Sequence, residues 1–240
     1  MKESSNEPGR ISIVATPIGN LGDLTFRALW NLKECDAVYA EDTRVTLKLL
    51  NHYGLRKSVF RLDAAIEAKK SEEVVARLQA GEHVAYVTDA GTPGISDPGA
   101  RLVARVRKEI PEAKIETVPG PSALTAALSI AGVSTDRFVF LGFLPHKKGR
   151  QTALKEIAQM VRPVSPQGKI PVVLYESPHR ILKLMKELEG FAPRSRVTIA
   201  KELTKVHEEI LAGTPSDVAA QLQKGNKTRG EFVVIVEKTV

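Results

Sequence analysis

Cysteine is nearly absent: Cys35 is the only one in 240 residues. One thiol can build neither a disulfide framework nor a cysteine metal cluster, and this usage fits a reducing, cytoplasmic setting. No apolar run is long enough to span a bilayer. Met1 to Arg10 is polar and has no apolar signal region, so nothing there directs export, and it reads as a loose, flexible tail. The P-loop pattern and GxGxxG are both missing, which disfavours nucleotide-triphosphate and dinucleotide sites. No set of His, Cys, Asp and Glu has zinc spacing; His52, His83, His146, His179 and His207 are scattered, and no metal is expected. Ser96 and Ser122 lack the strained elbow of a serine hydrolase. Internal repeats and low-complexity tracts are also missing.

What is present is the composition of an ordinary soluble protein, 42% hydrophobic and 26% charged. The length suits one large domain or two small ones. The net charge of +7 is unevenly placed. Residues 1–120 hold 17 Lys/Arg against 17 Asp/Glu, whereas residues 121–240 hold 18 against 11. That asymmetry suggests a polyanionic partner, a nucleic acid, met mainly by the second half; the plain alternative is a basic protein with no such partner.

Short apolar runs alternate with helical patterns through the first half. Ile11–Ala15, Ala37–Ala40, Ser58–Leu62, His83–Val87 and Lys114–Val118 read as strands. The helices between them imply a mostly parallel sheet covered on both faces. Pro119-Gly120-Pro121 looks like a hinge, so the expected units are residues 11–118 and 122–240. The second half offers strands at Arg137–Leu141, Val172–Tyr175, Val197–Ala200, Glu208–Leu211 and Phe232–Val236, and its tight Gly/Pro turns suggest a mixed sheet. Asp23, Asp97, Ser122 and Thr214 are the expected helix caps. Trp30 and Cys35 read as core packing. Arg162–Lys169 reads as a turn-rich surface loop.

Two glycine-bearing loops stand out. Thr16–Asp23 follows the first strand. Thr88–Gly99 follows the fourth and carries Gly91, Gly94 and Gly99, which admit backbone conformations closed to other residues and let a ligand approach the main chain. Strand, glycine loop, helix is how open α/β sheets build ligand sites; the competing reading is a tight connection with no ligand. Polar clusters also follow strand ends: Glu41-Asp42-Thr43-Arg44, Glu176-Ser177-Pro178-His179-Arg180 and Lys201-Glu202-Leu203-Thr204-Lys205. Each could be a solvated cap or ion pair, but three together favour a site.

These stretches carry a family resemblance. Thr16 to Leu21, Ala40 to Arg44, Thr88 to Gly99, Pro119 to Ser122, Gly142-Phe143-Leu144-Pro145, Tyr175 to Arg180 and Lys201 to Lys205 resemble the ribosomal RNA small-subunit methyltransferase I family, a branch of the tetrapyrrole methylases. The similarity runs from about Ile11 to Glu237. It implies a two-domain α/β fold of the tetrapyrrole-methylase type, with a parallel-sheet N-terminal domain, a mixed-sheet C-terminal domain and the cofactor cleft between them. It also implies S-adenosylmethionine as cofactor, the 2′-hydroxyl of a cytidine in 16S ribosomal RNA as target, and a homodimer. By motif position, cofactor contact falls on Ile18, Asp89, Gly91, Thr92, Ile95, Ser122, Ala123, Tyr175 and Ala200. One stretch, Leu62 to Lys70, departs from the His-rich, Asn-containing pattern usual in the family.

Methyl transfer to a hydroxyl needs alignment and a base or a stabiliser of developing negative charge. Asp42, Glu176 and Glu202 are the candidate bases; Arg44, Arg180 and Lys201 are the candidate cations. The pairs Asp42–Arg44 and Lys201–Glu202 are favoured because each couples an acid to a cation. Lys147, Lys148, Arg150 and Arg180 are the expected RNA contacts, and Phe143 is either a core residue or a platform for an unpaired base. The competing functions are methylation of a tetrapyrrole or other small molecule, and a non-catalytic RNA-binding assembly factor.

Overall fold

The computed structural model describes residues 8–161 and 170–238. The expected loop at 162–169 and most of the N-terminal tail lie outside them. The chain divides into two compact units, residues 1–122 and 123–240.

The first unit contains strands β1 (Arg10–Val14), β2 (Ala37–Ala40), β3 (Val59–Arg61), β4 (His83–Val87) and β5 (Lys114–Val118). They form one parallel sheet in the order β3-β2-β4-β1-β5. Helices α1 (Phe26–Glu34) and α2 (Thr43–His52) cover one face, and α3 (Glu67–Gln79) and α4 (Ala100–Glu109) cover the other. Strand alternation explains this split. Val14, Ala85 and Val87 point to Ala28, Leu32 and Leu50, while Ile11, Val84 and Tyr86 point to Val74, Leu78, Leu102 and Val106.

The strand order has a functional consequence. β1 and β4 are neighbours, yet β1 leads into α1 on one face and β4 into α4 on the other. The crevice at such a switch point, outside the carboxyl ends of the strands, is where open α/β sheets bind ligands.

The second unit contains α5 (Ala123–Ile130), β6 (Val139–Phe143), α6 (Arg150–Met160), β7 (Val172–Glu176), α7 (Ile181–Phe191), β8 (Ser195–Lys201), β9 (Glu209–Gly213), α8 (Pro215–Lys224) and β10 (Phe232–Lys238). Its sheet runs β6-β7-β10-β8-β9, parallel between β6 and β7 and antiparallel elsewhere. Leu154 and Ile157 of α6, Ile181, Leu184, Met185 and Leu188 of α7, and Val218 and Leu222 of α8 are fully buried against one face of this sheet. Each contributes about 1.5–3 kcal/mol by leaving water. β6 continues two residues past its expected end because the register shifts between Phe140 and Gly142. Gly142, at φ 60°, takes up that bulge, which a residue with a Cβ would resist.

Several local expectations change. Thr25, not Asp23, caps α1, its hydroxyl accepting from the Ala28 N–H at 3.0 Å. Trp30 is 54% exposed on the outer side of α1, because its position falls opposite the buried Ala28 and Leu32 stripe. Thr214 does cap α8, in a reciprocal capping box with Asp217.

Candidate functional site

Two glycine loops of the first unit meet at the switch point. Thr16 and Gly91 exchange backbone hydrogen bonds, 2.9 Å from the Thr16 N–H and 3.0 Å from the Gly91 N–H. The Thr16 hydroxyl also donates to the Thr88 carbonyl at 3.1 Å. The loop after β5 joins them, since the Thr92 hydroxyl donates to the Pro121 carbonyl at 3.3 Å. The loop after β2 is tied in by the Asp42 N–H, which donates to Asp89 at 3.0 Å. Thus four carboxyl-end loops, each carrying residues singled out from sequence, gather on one rim.

Gly91 sits at φ 82°, a backbone region that L side chains rarely adopt. A Cβ there would lie 3.4 Å from Ile18 Cγ2 and 3.7 Å from the Pro121 carbonyl oxygen, inside the cradle formed by the three loops. Left-handed backbone costs a side-chain-bearing residue about 1–2 kcal/mol. Gly91→Ala should therefore lower folding stability by about 1–2 kcal/mol and, by putting a methyl group into the cradle, weaken binding of a ligand held against this main chain, as urea unfolding and calorimetry with the cofactor that the family resemblance implies would show. Unchanged affinity would place the ligand away from this loop. Ile18 is buried beside Gly91, whereas Ile95 is 42% exposed.

Asp97 does not cap α4. The helix begins at Ala100 with Gly99 at the cap position and no side chain of its own filling it. Glu67 does that work from α3: its buried carboxylate accepts from the N–H groups of Gly99 at 3.0 Å and Leu102 at 3.1 Å. The stretch that departs from the family pattern is thus occupied with structure. Leu62 is in the core, and Asp63 accepts from the Ala65 and Ile66 N–H groups.

This leaves Asp97 half-buried with no hydrogen bond or ion pair among the described residues. Burial, then the nearby charge of Asp89, pushes its carboxyl up to about 6. Glu41 is raised by burial and by Asp89 and Asp97, and Asp89 is raised by burial. The favoured sequence candidates behave oppositely. The Arg44 guanidinium, 2.6 Å away, holds Asp42 down at about 2. Glu202 is held low by Lys205 and the Glu231 N–H, both at 2.9 Å, which outweigh its own partial burial. Carboxylates stabilised in their charged form are weak proton acceptors. Sequence reading missed the half-buried, uncapping state of Asp97 because Asp-Pro ahead of a helix looks like a cap; Glu67 supplies that cap instead.

In the second unit, the register lines Phe143, Tyr175, Val233, Ala200 and Ile210 across the sheet. Residues paired this way share a face, so Tyr175 and Ala200 stand on the same side. The Phe143 and Tyr175 rings meet edge to face with centroids 5.6 Å apart, and Phe143 is 55% exposed. Phe143 is therefore not a core residue. The next row, Glu176, Phe232, Lys201 and Glu209, faces the helices, and Lys201 is buried there. Ala123 begins α5, which lies against β10.

The expected RNA contacts divide. Lys147 and Lys148 are exposed, but Arg150 is not available to phosphate: its side chain is 4% exposed and paired with Glu187 at 2.7 Å and Glu176 at 3.6 Å. Arg180 is likewise drawn inward, 2.8 Å from Glu176. Glu176, wholly buried between the two guanidinium groups, is no candidate base. Elsewhere, the buried Ser12 hydroxyl lies 2.8 Å from His83 and 2.6 Å from Glu116. The serine sits between the histidine and the acid, an order that stitches three strands and activates no nucleophile.

The family model for Tetrapyrrole (Corrin/Porphyrin) Methylases matches residues 10–219. A Synechocystis protein named ribosomal RNA small subunit methyltransferase I is 44% identical, over 95% of this chain and 78% of its own length. Proteins of that name from Escherichia coli O157:H7 (43%; 98% and 80%) and Thermotoga maritima (40%; 95% and 98%) match similarly. Among solved structures, the methyltransferase CobJ aligns with TM-score 0.68 at 17% identity, covering 95% of this chain and 93% of CobJ. Uroporphyrin-III C-methyl transferase from Thermus thermophilus, complexed with S-adenosyl homocysteine, aligns with TM-score 0.64 at 20% identity, covering 95% and 97%. The fold is that of these tetrapyrrole methyltransferases, and the chain belongs to the ribosomal RNA small-subunit methyltransferase I family within the tetrapyrrole methylases.

Proposed function

We propose that this chain is a methyltransferase that uses S-adenosylmethionine to methylate the ribose 2′-hydroxyl of a cytidine in 16S ribosomal RNA of the small subunit. The observation that carries the reading is identity of 40–44% over at least 95% of the chain to relatives named for that RNA. The tetrapyrrole methylases share the fold at only 17–20% identity, so small-molecule methylation is not favoured. We further propose a cytoplasmic homodimer; no helix among the described residues is long and apolar enough to cross a membrane.

The residues present suit the cofactor. The main chain at Gly91 is free of a Cβ on its cradle side, and Ile18, Asp89, Thr92, Ile95 and Ser122 lie near it in sequence or contact. The family resemblance assigns cofactor contact to Ala123, Tyr175 and Ala200 as well. When bound, the cofactor supplies an electrophilic methyl group on a sulfonium. The protein's part is to aim the ribose oxygen along the axis of displacement and to take up its proton. Asp97 Oδ suits that role, since a carboxyl near 6 is ionised at neutral pH yet still basic. Arg44, held by Asp42, steadies negative charge near the reacting oxygen; Lys201, buried on the helix side of its sheet, is not available for that role.

Lys147 and Lys148 are proposed to grip phosphate, with Phe143 at the base of their loop available to stack on an unpaired base. Labelled methyl transfer to small ribosomal subunits from cells lacking the protein, with mapping of the modified nucleotide, tests the whole reading. Lys147→Gln with Lys148→Gln should lower the slope of log K against log salt by about 1–2, measured by RNA binding over a salt series. An unaltered slope would put the RNA elsewhere.

A further inference from the structure

The buried charges of the second unit do more than fill space. Arg150 and Arg180 carry two positive charges, Glu176 and Glu187 two negative ones, and the quartet is neutral. Arg150 Nε reaches Glu187 at 2.8 and 3.1 Å. Arg180 Nε lies 2.8 Å from Glu176, and its Nη2 donates to the same carboxylate at 3.1 Å. The Ser177 N–H completes Glu176 at 2.8 Å.

Both guanidinium groups also donate to one and the same segment. Arg180 Nη2 donates to the Leu144 carbonyl at 2.8 Å, and Arg150 Nη1 donates to the adjacent Pro145 carbonyl at 3.2 Å. The chain has left β6 at Phe143, and beyond those carbonyls it runs exposed through His146, Lys147 and Lys148. It re-enters at Gly149, which is left-handed at φ 86° and gives α6 no side-chain cap. The segment therefore leaves its strand with two consecutive carbonyls clamped from below.

We propose that the quartet Arg150–Glu187–Glu176–Arg180 is a tether whose task is to position the Lys147–Lys148 loop on ribosomal RNA. This rests on the reading of that loop as the phosphate grip. The four are positioning residues: the two arginines hold the loop backbone and the two glutamates hold the arginines. A guanidinium fixed by a carboxylate is suited to this, because its planar fork can serve an anion on one edge and a carbonyl on another. The chemistry also accounts for two arginines in a basic segment that hold no phosphate.

The test uses the intact protein. The double variant Arg150→Met with Glu187→Met removes one cation and one anion together, so no lone charge is left buried and folding is retained; Glu187→Gln is the single, near-isosteric companion. Trypsin cleavage after Lys147 and Lys148 should accelerate roughly tenfold as the loop opens more often. KM for small ribosomal subunits should rise about tenfold. kcat at saturating subunits and S-adenosylmethionine affinity should stay within about twofold. Lys147→Gln with Lys148→Gln is run beside them. If that pair raises KM while the tether variants leave both cleavage and KM unchanged, the tether is wrong and the RNA reading stands. If cleavage accelerates but KM is unmoved in every variant, the RNA reading is wrong and the positioning role falls with it. A parallel loss of kcat and donor binding would make the quartet a general packing element and overturn the proposal.

Discussion

Asp97→Asn should lower kcat for methyl transfer by about 100-fold, the lower end of what a positioned base contributes, while S-adenosylmethionine affinity stays within about threefold. Asn keeps the shape of the carboxyl and cannot accept the proton. The wild-type rate should rise with pH through about 6 as Asp97 ionises, and that limb should vanish in the variant. Stability gives an independent check with its own sign. The folded-state carboxyl lies at about 6 against 3.8 for the ordinary group, so between those values the native state binds more protons than the unfolded one. Stability contributed by this group is complete below about pH 4 and is lost as pH rises to 6. Asp97→Asn escapes that loss, so the variant should gain at pH 8 and not at pH 4. Since Asp97 is only half-buried, solvent screening cuts the gain to about 1 kcal/mol. Steady-state rates over pH 5–9 and urea unfolding at pH 4 and 8 measure both effects. A variant with wild-type kcat and an intact acidic limb would return Asp97 to a structural role.

Glu176→Ala should cost about 3–5 kcal/mol of folding stability, the range for removing one partner of a buried ion pair. Its carboxylate is wholly buried, and two guanidinium groups and the Ser177 N–H converge on it. The loss would leave Arg150 and Arg180 with one carboxylate between them in the apolar layer under α7. The gain from restoring apolar packing is small, since an alanine leaves a void as well. Urea unfolding followed by far-ultraviolet circular dichroism gives the value. A loss below about 1 kcal/mol would mean that Glu176 meets solvent and would reopen its candidacy as a base.

The contrast between Glu176 and Asp97 shows where sequence reading reaches and where it stops. Both are acids within two residues of a proline, at or beyond the end of a strand and ahead of a helix. By residue type each could cap, pair or react. What separates them is which neighbours arrive from distant sequence. Arg150 comes 26 residues ahead of Glu176 and closes on it; Glu67 comes 30 residues ahead of Asp97 and takes over the cap that Asp97 would have supplied. Arg150 and Arg180 were legible as positive charge and not as paired charge, because Glu187 reaches Arg150 only once α7 has packed beside α6.

Other features were legible without coordinates because they are local. Ten strands follow from short apolar runs bounded by glycine and proline, and the parallel first sheet follows from their alternation with helices. The Thr16 and Thr88 loops could be named as site-formers from glycine placement alone. What brings them into contact is the order β3-β2-β4-β1-β5, which places β1 beside β4. The chain's own sequence thus determined its elements, its charge bias and its family, all of which depend on residues near one another or on motifs in order. Tertiary packing alone decided which acids stay charged, which cations remain for an anion and which loops share a rim, because burial and long-range pairing set those properties and neither is encoded in a single segment.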